Sequence, residues 1–354
     1  MTVDAAIRRV HDDAIVVDTH NDLLCSVVLK PVDRWGAYFR EQWLPQLVAG
    51  GVDVQVLPVW IDESYRPERA LRQTLRMIEA AHRIAEENAD RVGLCLDARE
   101  IEATLATDRM ALLLALESCP GIDADVELLT TVARLGVRVV SLTHFGRSAF
   151  GDGSGEDATG SRLTSAGVAA VGELQRLDVV VDVSHLGRTG VDHVLELAEH
   201  PVLATHSSAR AVRDHHRNLG DEHLRGIAAT GGVVCVNFYP GFVDETDATV
   251  ARIVDHIEHI ASVAGLDHVG IGPDFVAEVE RDTTPPGVGA DRFPGYDMVA
   301  EVPGLAGPAD LPVVTAELLS RGWPVPDIEQ VLGGNVMRLF RAVLAQGSLT
   351  RAPA

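Results

Sequence analysis

Apolar residues come in short unbroken runs along this chain, and each run is followed by a longer stretch with helical spacing. Eight runs read as strands: 14–19, 52–59, 111–117, 137–143, 179–184, 201–205, 232–238 and 268–273. They are almost continuously apolar rather than alternating, which predicts parallel strands buried on both faces. Between them, 67–90 carries Leu71, Leu75, Ile78 and Ile84 on one stripe. The stretch 164–178 opens on a Thr/Ser cap, 221–232 opens on an Asp N-cap and ends in glycines, and 326–347 closes the chain as a helix.

Eight strand–helix alternations in 354 residues predict an α/β fold, a (β/α)8 TIM barrel. An open doubly wound sheet is the competitor. It is weakened because no G-x-G-x-x-G follows the first strand and no P-loop motif is present. No composition shift marks a boundary, so 1–354 is expected to be one barrel domain, with a flexible tail at 346–354. Three connections are long for such a fold: 23–51, the glycine-rich 145–163 and the Pro/Gly-rich 276–311. All follow strands, so all belong on the C-terminal face, where barrel enzymes build their sites.

The polar residues that end the apolar runs carry the chemistry. The first strand runs into His20-Asn21-Asp22, the third ends in Glu117, the fourth in His144, the fifth in His185, the sixth in His206 and the eighth in Asp274. In a barrel these ends meet on one rim. A buried charge is costly unless it is paired or bound to metal, and this many ionisable groups exceed what packing requires. Imidazoles and carboxylates together suit Zn²⁺. Period-two alternation places His20 and Asp22 on one face of an extended strand, where both can serve one ion. The ligand supply exceeds a single catalytic site, so two Zn²⁺ per chain are expected, with Glu117 bridging them and a shared water activated to hydroxide. Lys30, the only lysine, lies off the central strand ends, so a carboxylated lysine is not expected as the bridge.

Charge and cysteine usage narrow the partners. A net charge of −22 disfavours nucleic acid and anionic lipid. Cys25, Cys95, Cys119 and Cys235 are scattered and form no C-x-x-C pair, which predicts reduced thiols. The start, MTVDAAIRRVHDDAIVVD, has no apolar run of signal-peptide length, and no segment reaches 18 uninterrupted apolar residues. The expectation is a cytoplasmic protein with no membrane partner.

Several stretches resemble the renal (membrane) dipeptidase family of the amidohydrolase barrel superfamily: DTHNDL (18–23), ALESCPGI (115–122), LGVRVVSLTH (135–144), LTSAGVAAVGELQRLDVVVDVSH (163–185) and PVLATHSSARAVRDHHRNLGDEHLRGIAATGGVVCVNFYPGF (201–242). HVGIGPDF (268–275) and ELLSRGWPVPDIEQVLGGNVMRLF (317–340) match as well. The resemblance implies a binuclear zinc dipeptidase of the metal-dependent hydrolase barrel type, cleaving L-Xaa-L/D-Xaa dipeptides with a metal-bridging hydroxide. It implies His20, Asp22 and Glu117 at one ion, and Glu117, His185 and His206 at the other. It places His144 on the substrate near the developing oxyanion, and Arg217 on the substrate carboxylate. Asp274 is placed on the water and the substrate amine, and Tyr239 at the pocket wall. It also suggests a homodimer. Three stretches depart from the family pattern: Leu24-Cys25, Phe145-Gly146-Arg147-Ser148 and Phe275-Val276-Ala277. All are expected at pocket walls, which leaves open N-acyl amino acids or other small carboxylate-bearing amides as substrates. A metal-binding barrel without turnover is the reading from a different class.

Overall fold

The computed structural model describes residues 5–62, 65–66, 69–283 and 295–344. The expected tail at 346–354 and part of the 276–311 connection lie outside them. Nine strands are present among the described residues: β1 Val16–Asp18, β2 Val52–Val59, β3 Val92–Leu94, β4 Met110–Leu116, β5 Val137–Ser141, β6 Val180–Asp182, β7 Leu203–Ala204, β8 Val233–Val236 and β9 Val269–Ile271. Every ladder is parallel. Eight strands follow one another in the order β1-β2-β4-β5-β6-β7-β8-β9. The ring nearly closes where the Thr19 amide donates to the Ile271 carbonyl at 3.5 Å. This is the expected (β/α)8 barrel.

The addition is β3. It pairs with the first half of β4, Val92 opposite Met110 and Leu94 opposite Leu112, while β5 takes the second half of the same β4 edge. Three residues carry too little pattern to announce a strand, so β3 was not expected.

Alternation within each strand sorts two cores. Ala111, Leu113 and Ala115 of β4 point into the barrel with Val17, Val54, Val56, Val139, Val180, Leu203 and Val233. Leu112, Leu114 and Leu116 point outward against the helices. The lower end of the barrel is stopped by the last helix, Asn335–Val343, whose Val336, Met337, Leu339, Phe340 and Val343 join the inner core. The interior is therefore apolar below and polar only at the upper rim.

The helices follow the predicted spacing with two corrections. In Ala70–Glu87 the buried residues are Ala70, Thr74, Met77, Ile78, Ala80, Ala81 and Ile84, and Leu75 is exposed. Helix Ser165–Arg176 is capped as expected, with Thr164 Oγ1 accepting from the Gly167 amide at 3.1 Å. Helix Asp221–Ala229 is capped by Gly220, so Asp221 falls inside the first turn. There its carboxylate complements the positive end of the helix rather than capping it. The 23–51 connection folds into short helices, including Leu23–Val27, Trp35–Tyr38 and Leu44–Ala49, over buried Trp35, Phe39 and Trp43.

Arginine ties the outer helices. Arg321 reaches Asp255 and Glu258 at 2.8 Å and Glu317 at 2.9 Å, and Arg252 reaches Asp244 at 2.8 Å and Asp255 at 2.9 Å. Lys30 pairs with Asp282 at 2.6 Å and lies over the Tyr38 ring, holding the 23–51 connection against helix Val276–Thr283. At Gly272, just past β9, a Cβ would run into the Thr205 carbonyl oxygen. Gly272→Ala is therefore expected to destabilise the fold by about 1–3 kcal/mol through overpacking, read as a lower thermal midpoint. An unchanged midpoint would mean that the strands can part there without cost.

Candidate metal centre

The upper rim gathers the strand-end residues around Glu117. Glu117 follows β4 and is held by its amide, which donates to the Val59 carbonyl at 3.1 Å. Its two oxygens face different partners. Oε2 lies 3.4 Å from His20 Nε2, and Oε1 lies 3.0 Å from His185 Nε2 and 3.9 Å from His206 Nε2. The His185 and His206 Nε2 atoms are 2.8 Å apart, and the His20 and His206 rings stack at 3.7 Å. Asp22 Oδ2 lies 3.9 Å from His20 Nε2.

His20 and Asp22 do not meet along an extended strand, as alternation predicted. β1 ends at Asp18, and Asp22 is the N-cap residue of helix Leu23–Val27. The strand-to-helix turn brings them together instead. His185 and Asp274 adopt left-handed backbone, with φ of 68° and 57°. Such conformations are uncommon outside glycine and persist where the surroundings hold them, often at functional sites.

Three groups bring one ligand atom per residue within 4.8 Å: His20 with Glu117 and His206, Glu117 with His144 and His185, and His20 with Asp22 and Asp274. The donor set suits a divalent ion. Glu117 Oε2, Asp22 Oδ1 and His185 Nδ1 are buried without a hydrogen-bond partner. Buried carboxylate oxygens left without donors, close to imidazole nitrogens, are what a cation satisfies.

The electrostatics agree. Burial lowers His185 and His206 well below the ordinary imidazole range, with Arg217 among the neighbouring positive charges that help. Burial, then Arg217 and Arg66, hold His144 down at about 3. All three therefore keep neutral rings at physiological pH, each with a nitrogen lone pair. Burial is the largest single influence on His20 and opposes its charge, but Glu117, Asp22 and Asp274 together outweigh it and bring that ring up to about 10. Burial and then the Glu117 charge raise Asp22 well above the usual carboxylate range. A cation between Asp22 and Glu117 would relieve that repulsion.

A cavity of about 450 Å³ opens over this cluster. His20, Asp22, Glu117, His144, His185, His206, Tyr239 and Asp274 all line it. Arg217 does not. It is buried behind the wall, with Nη2 donating to the His206 carbonyl at 2.7 Å, Nη1 to Ser207 Oγ at 2.9 Å, and its guanidinium facing the Phe242 ring. Its buried Nε has no hydrogen-bond partner. Cys25 and Val276, two of the departures from the family pattern, do reach the cavity wall, as does Phe145.

Sequence reasoning missed Asn237 and the end of β2. Asn237 Nδ2 donates to Asp274 Oδ2 at 2.8 Å, fixing that carboxylate. Trp60 and Asp62 follow β2 and line the cavity, joined by Tyr296 from beyond the last strand. The signal was available, since Trp60 and Asp62 lie just past the 52–59 run and Asn237 near the end of 232–238. Tyr296 has none.

A parallel eight-stranded barrel with imidazoles and carboxylates converging at its C-terminal rim defines the class, a metal-dependent hydrolase barrel. Residues 4–283 and 287–352 match the model of the membrane dipeptidase family, peptidase family M19. The chain belongs to that family. It is 30% identical over 284 residues to Dipeptidase verJ of Clonostachys rogersoniana, covering 80% of this chain and 67% of that protein. It is 30% identical over 340 residues to human Dipeptidase 3, covering 93% of this chain and 65% of that protein. The chain thus spans about two thirds of the length of these relatives. The crystal structure of the M19 metallopeptidase called dipeptidase AC superposes with a TM-score of 0.81 at 25% identity, covering 94% of this chain and 99% of that one. A metallopeptidase from Rhodobacter sphaeroides, liganded with a phosphinate mimic of L-Ala-D-Ala, shares the fold with a TM-score of 0.80 at 24% identity, covering 94% and 100%. Among the described residues, no helix is long and apolar enough to cross a membrane.

Proposed function

We propose that this chain is a binuclear zinc dipeptidase, and the observation that carries the reading is Glu117 placed between two sets of ligands. One ion would be held by His20, Asp22 and Glu117, the other by Glu117, His185 and His206. When bound, such a pair supplies Lewis acidity and a water acidic enough to ionise near neutral pH.

The remaining work falls to this chain's own side chains. Asp274 lines the cavity beside His20 and Asp22, with Asn237 holding one oxygen. It is placed to take the proton of the attacking water and return it to the leaving amine. Neutral His144 has one ring N–H to offer the carbonyl oxygen as charge develops there. Trp60, Tyr239 and Phe145 wall the cavity. The Rhodobacter structure's dipeptide mimic supports a dipeptide as substrate.

Arg217 supplies the positive charge behind the His144–His185–His206 wall, and we assign it to the substrate carboxylate. Reaching that carboxylate requires the Phe242 side of the wall to move. Arg217→Ala is expected to raise KM for free dipeptides about 10- to 100-fold, the cost of a charged hydrogen bond. KM for the matching dipeptide amides should stay unchanged, and an equal loss on both would remove the carboxylate role.

The test of the whole reading is hydrolysis of L-L and L-D dipeptides by zinc-loaded protein, with N-acetyl amino acids alongside. Cleavage of free dipeptides supports it. Cleavage of only the acylated compounds would replace the substrate class, and no cleavage of either with two ions bound would remove the activity.

A further inference from the structure

Beneath the rim, Asp182 at the end of β6 meets Thr205, the residue after β7. Asp182 Oδ1 accepts the backbone N–H groups of Ser184 at 2.9 Å and Thr205 at 3.0 Å. Its Oδ2 accepts the Thr205 hydroxyl at 2.6 Å, and that hydroxyl oxygen lies 2.8 Å from His206 Nδ1. All three residues are buried. Ser184 Oγ is a second acceptor for the hydroxyl, at 3.3 Å. The shorter, charge-assisted contact takes the hydrogen.

The consequence is a matter of counting hydrogens. A threonine hydroxyl has one. Once it goes to Asp182, only lone pairs face His206, so Nδ1 must carry the ring proton. Nε2 is then left with its lone pair, on the side where His185 Nε2 lies at 2.8 Å and Glu117 Oε1 at 3.9 Å. His185 has no such arrangement, because its buried Nδ1 finds no partner.

We infer that Asp182 and Thr205 form a hydrogen-bond relay that fixes His206 in its Nδ1–H tautomer and so makes Nε2 a standing metal donor. They are positioning residues, and the inference rests on the proposed metal centre. Asp182 also ties the two strand ends together, since the same carboxylate holds the amides preceding His185 and His206. The Arg217 guanidinium joins the assembly by donating to the His206 carbonyl at 2.7 Å.

Asp182→Asn inverts the relay while keeping its shape. The two backbone N–H groups demand an oxygen at the Oδ1 position, so the new NH₂ faces Thr205. Thr205 then accepts from it and turns its own hydrogen to His206 Nδ1, which moves the ring proton to Nε2. An Asp-to-Asn change beside the histidine of serine proteases imposes the wrong tautomer in the same way. Two measurements on the full-length chain read this. In metal-free protein, ¹⁵N-histidine NMR should show His206 protonated at Nδ1 in the wild type and at Nε2 in Asp182→Asn. In a competitive zinc titration, Asp182→Asn should weaken one site about 10- to 100-fold and leave the other unchanged. Thr205→Ser should behave as wild type and Thr205→Val should lose affinity at the same site, which keeps the test open if Asp182→Asn does not fold. An unchanged tautomer with unchanged affinity overturns the relay. A tautomer that inverts in a protein whose wild type binds no zinc upholds the relay and overturns the metal centre.

Discussion

For the proposed binuclear zinc centre, Glu117→Gln is expected to remove at least one of the two ions and to lower kcat/KM about 1000-fold or more, the several kcal/mol a catalytic metal supplies. Both Glu117 oxygens are engaged, Oε2 towards His20 and Oε1 towards His185 and His206. A glutamine keeps the size of the side chain but gives up one of those two oxygens. Its NH₂ must then point at imidazole nitrogens or at a cation, and the second has no favourable geometry. Elemental analysis of the purified variant beside the wild type, with dipeptide hydrolysis on the same samples, decides the matter. Two ions retained with activity within tenfold of wild type would rule out Glu117 as the bridge.

Asp274→Asn should leave the metal content alone and lower kcat/KM about 100- to 10,000-fold, the range for a positioned acid–base group. The substitution is well suited to separate chemistry from structure. Asp274 has φ of 57°, and asparagine is one of the few residues that tolerates left-handed backbone. The Asn237 contact also survives, since the new amide can present its oxygen to Asn237 Nδ2. What is lost is the capacity to take up and release a proton. The informative alternative is a fall in bound zinc, which would make Asp274 a ligand through its grouping with His20 and Asp22.

These predictions draw on residues of unequal legibility. The barrel and the ring of strand-end groups could be read directly, because buried parallel strands leave continuous apolar runs and each run must end somewhere. His20, Glu117, His144, His185, His206 and Asp274 stood out as ionisable residues at those ends. Their pairing through Glu117 was also readable, since a central carboxylate among imidazoles has few other uses. Three things were not readable. β3 is too short to show a period. The short helices of 23–51 are fixed by Trp35, Phe39 and Trp43 packing inward rather than by a local pattern. The cavity wall includes both Trp60, after β2, and Val276, after β9, a juxtaposition that no local window of the sequence contains.

Arg217 shows the opposite limit. The resemblance named its role, but it could not say that the guanidinium lies under Phe242 and already donates to the Ser207 hydroxyl and the His206 carbonyl. A residue's type and spacing carry over between relatives more readily than its access to a ligand does.

The arginine ties between the outer helices have a consequence in alkali. A shell pinned by ammonium groups starts to lose its charges near pH 10, whereas guanidinium groups hold theirs past 12. Arg252 and Arg321 both keep their protons more tightly than an isolated arginine: for Arg252 the bond to Asp255 leads, and for Arg321 the bonds to Asp255, Glu317 and Glu258 outweigh the cost of burial. Lys30 is the single amine side chain in the molecule, and its bond to Asp282 braces the helix that forms one wall of the cavity. An amine-directed reagent therefore has one side chain to reach, and reaching it severs that brace.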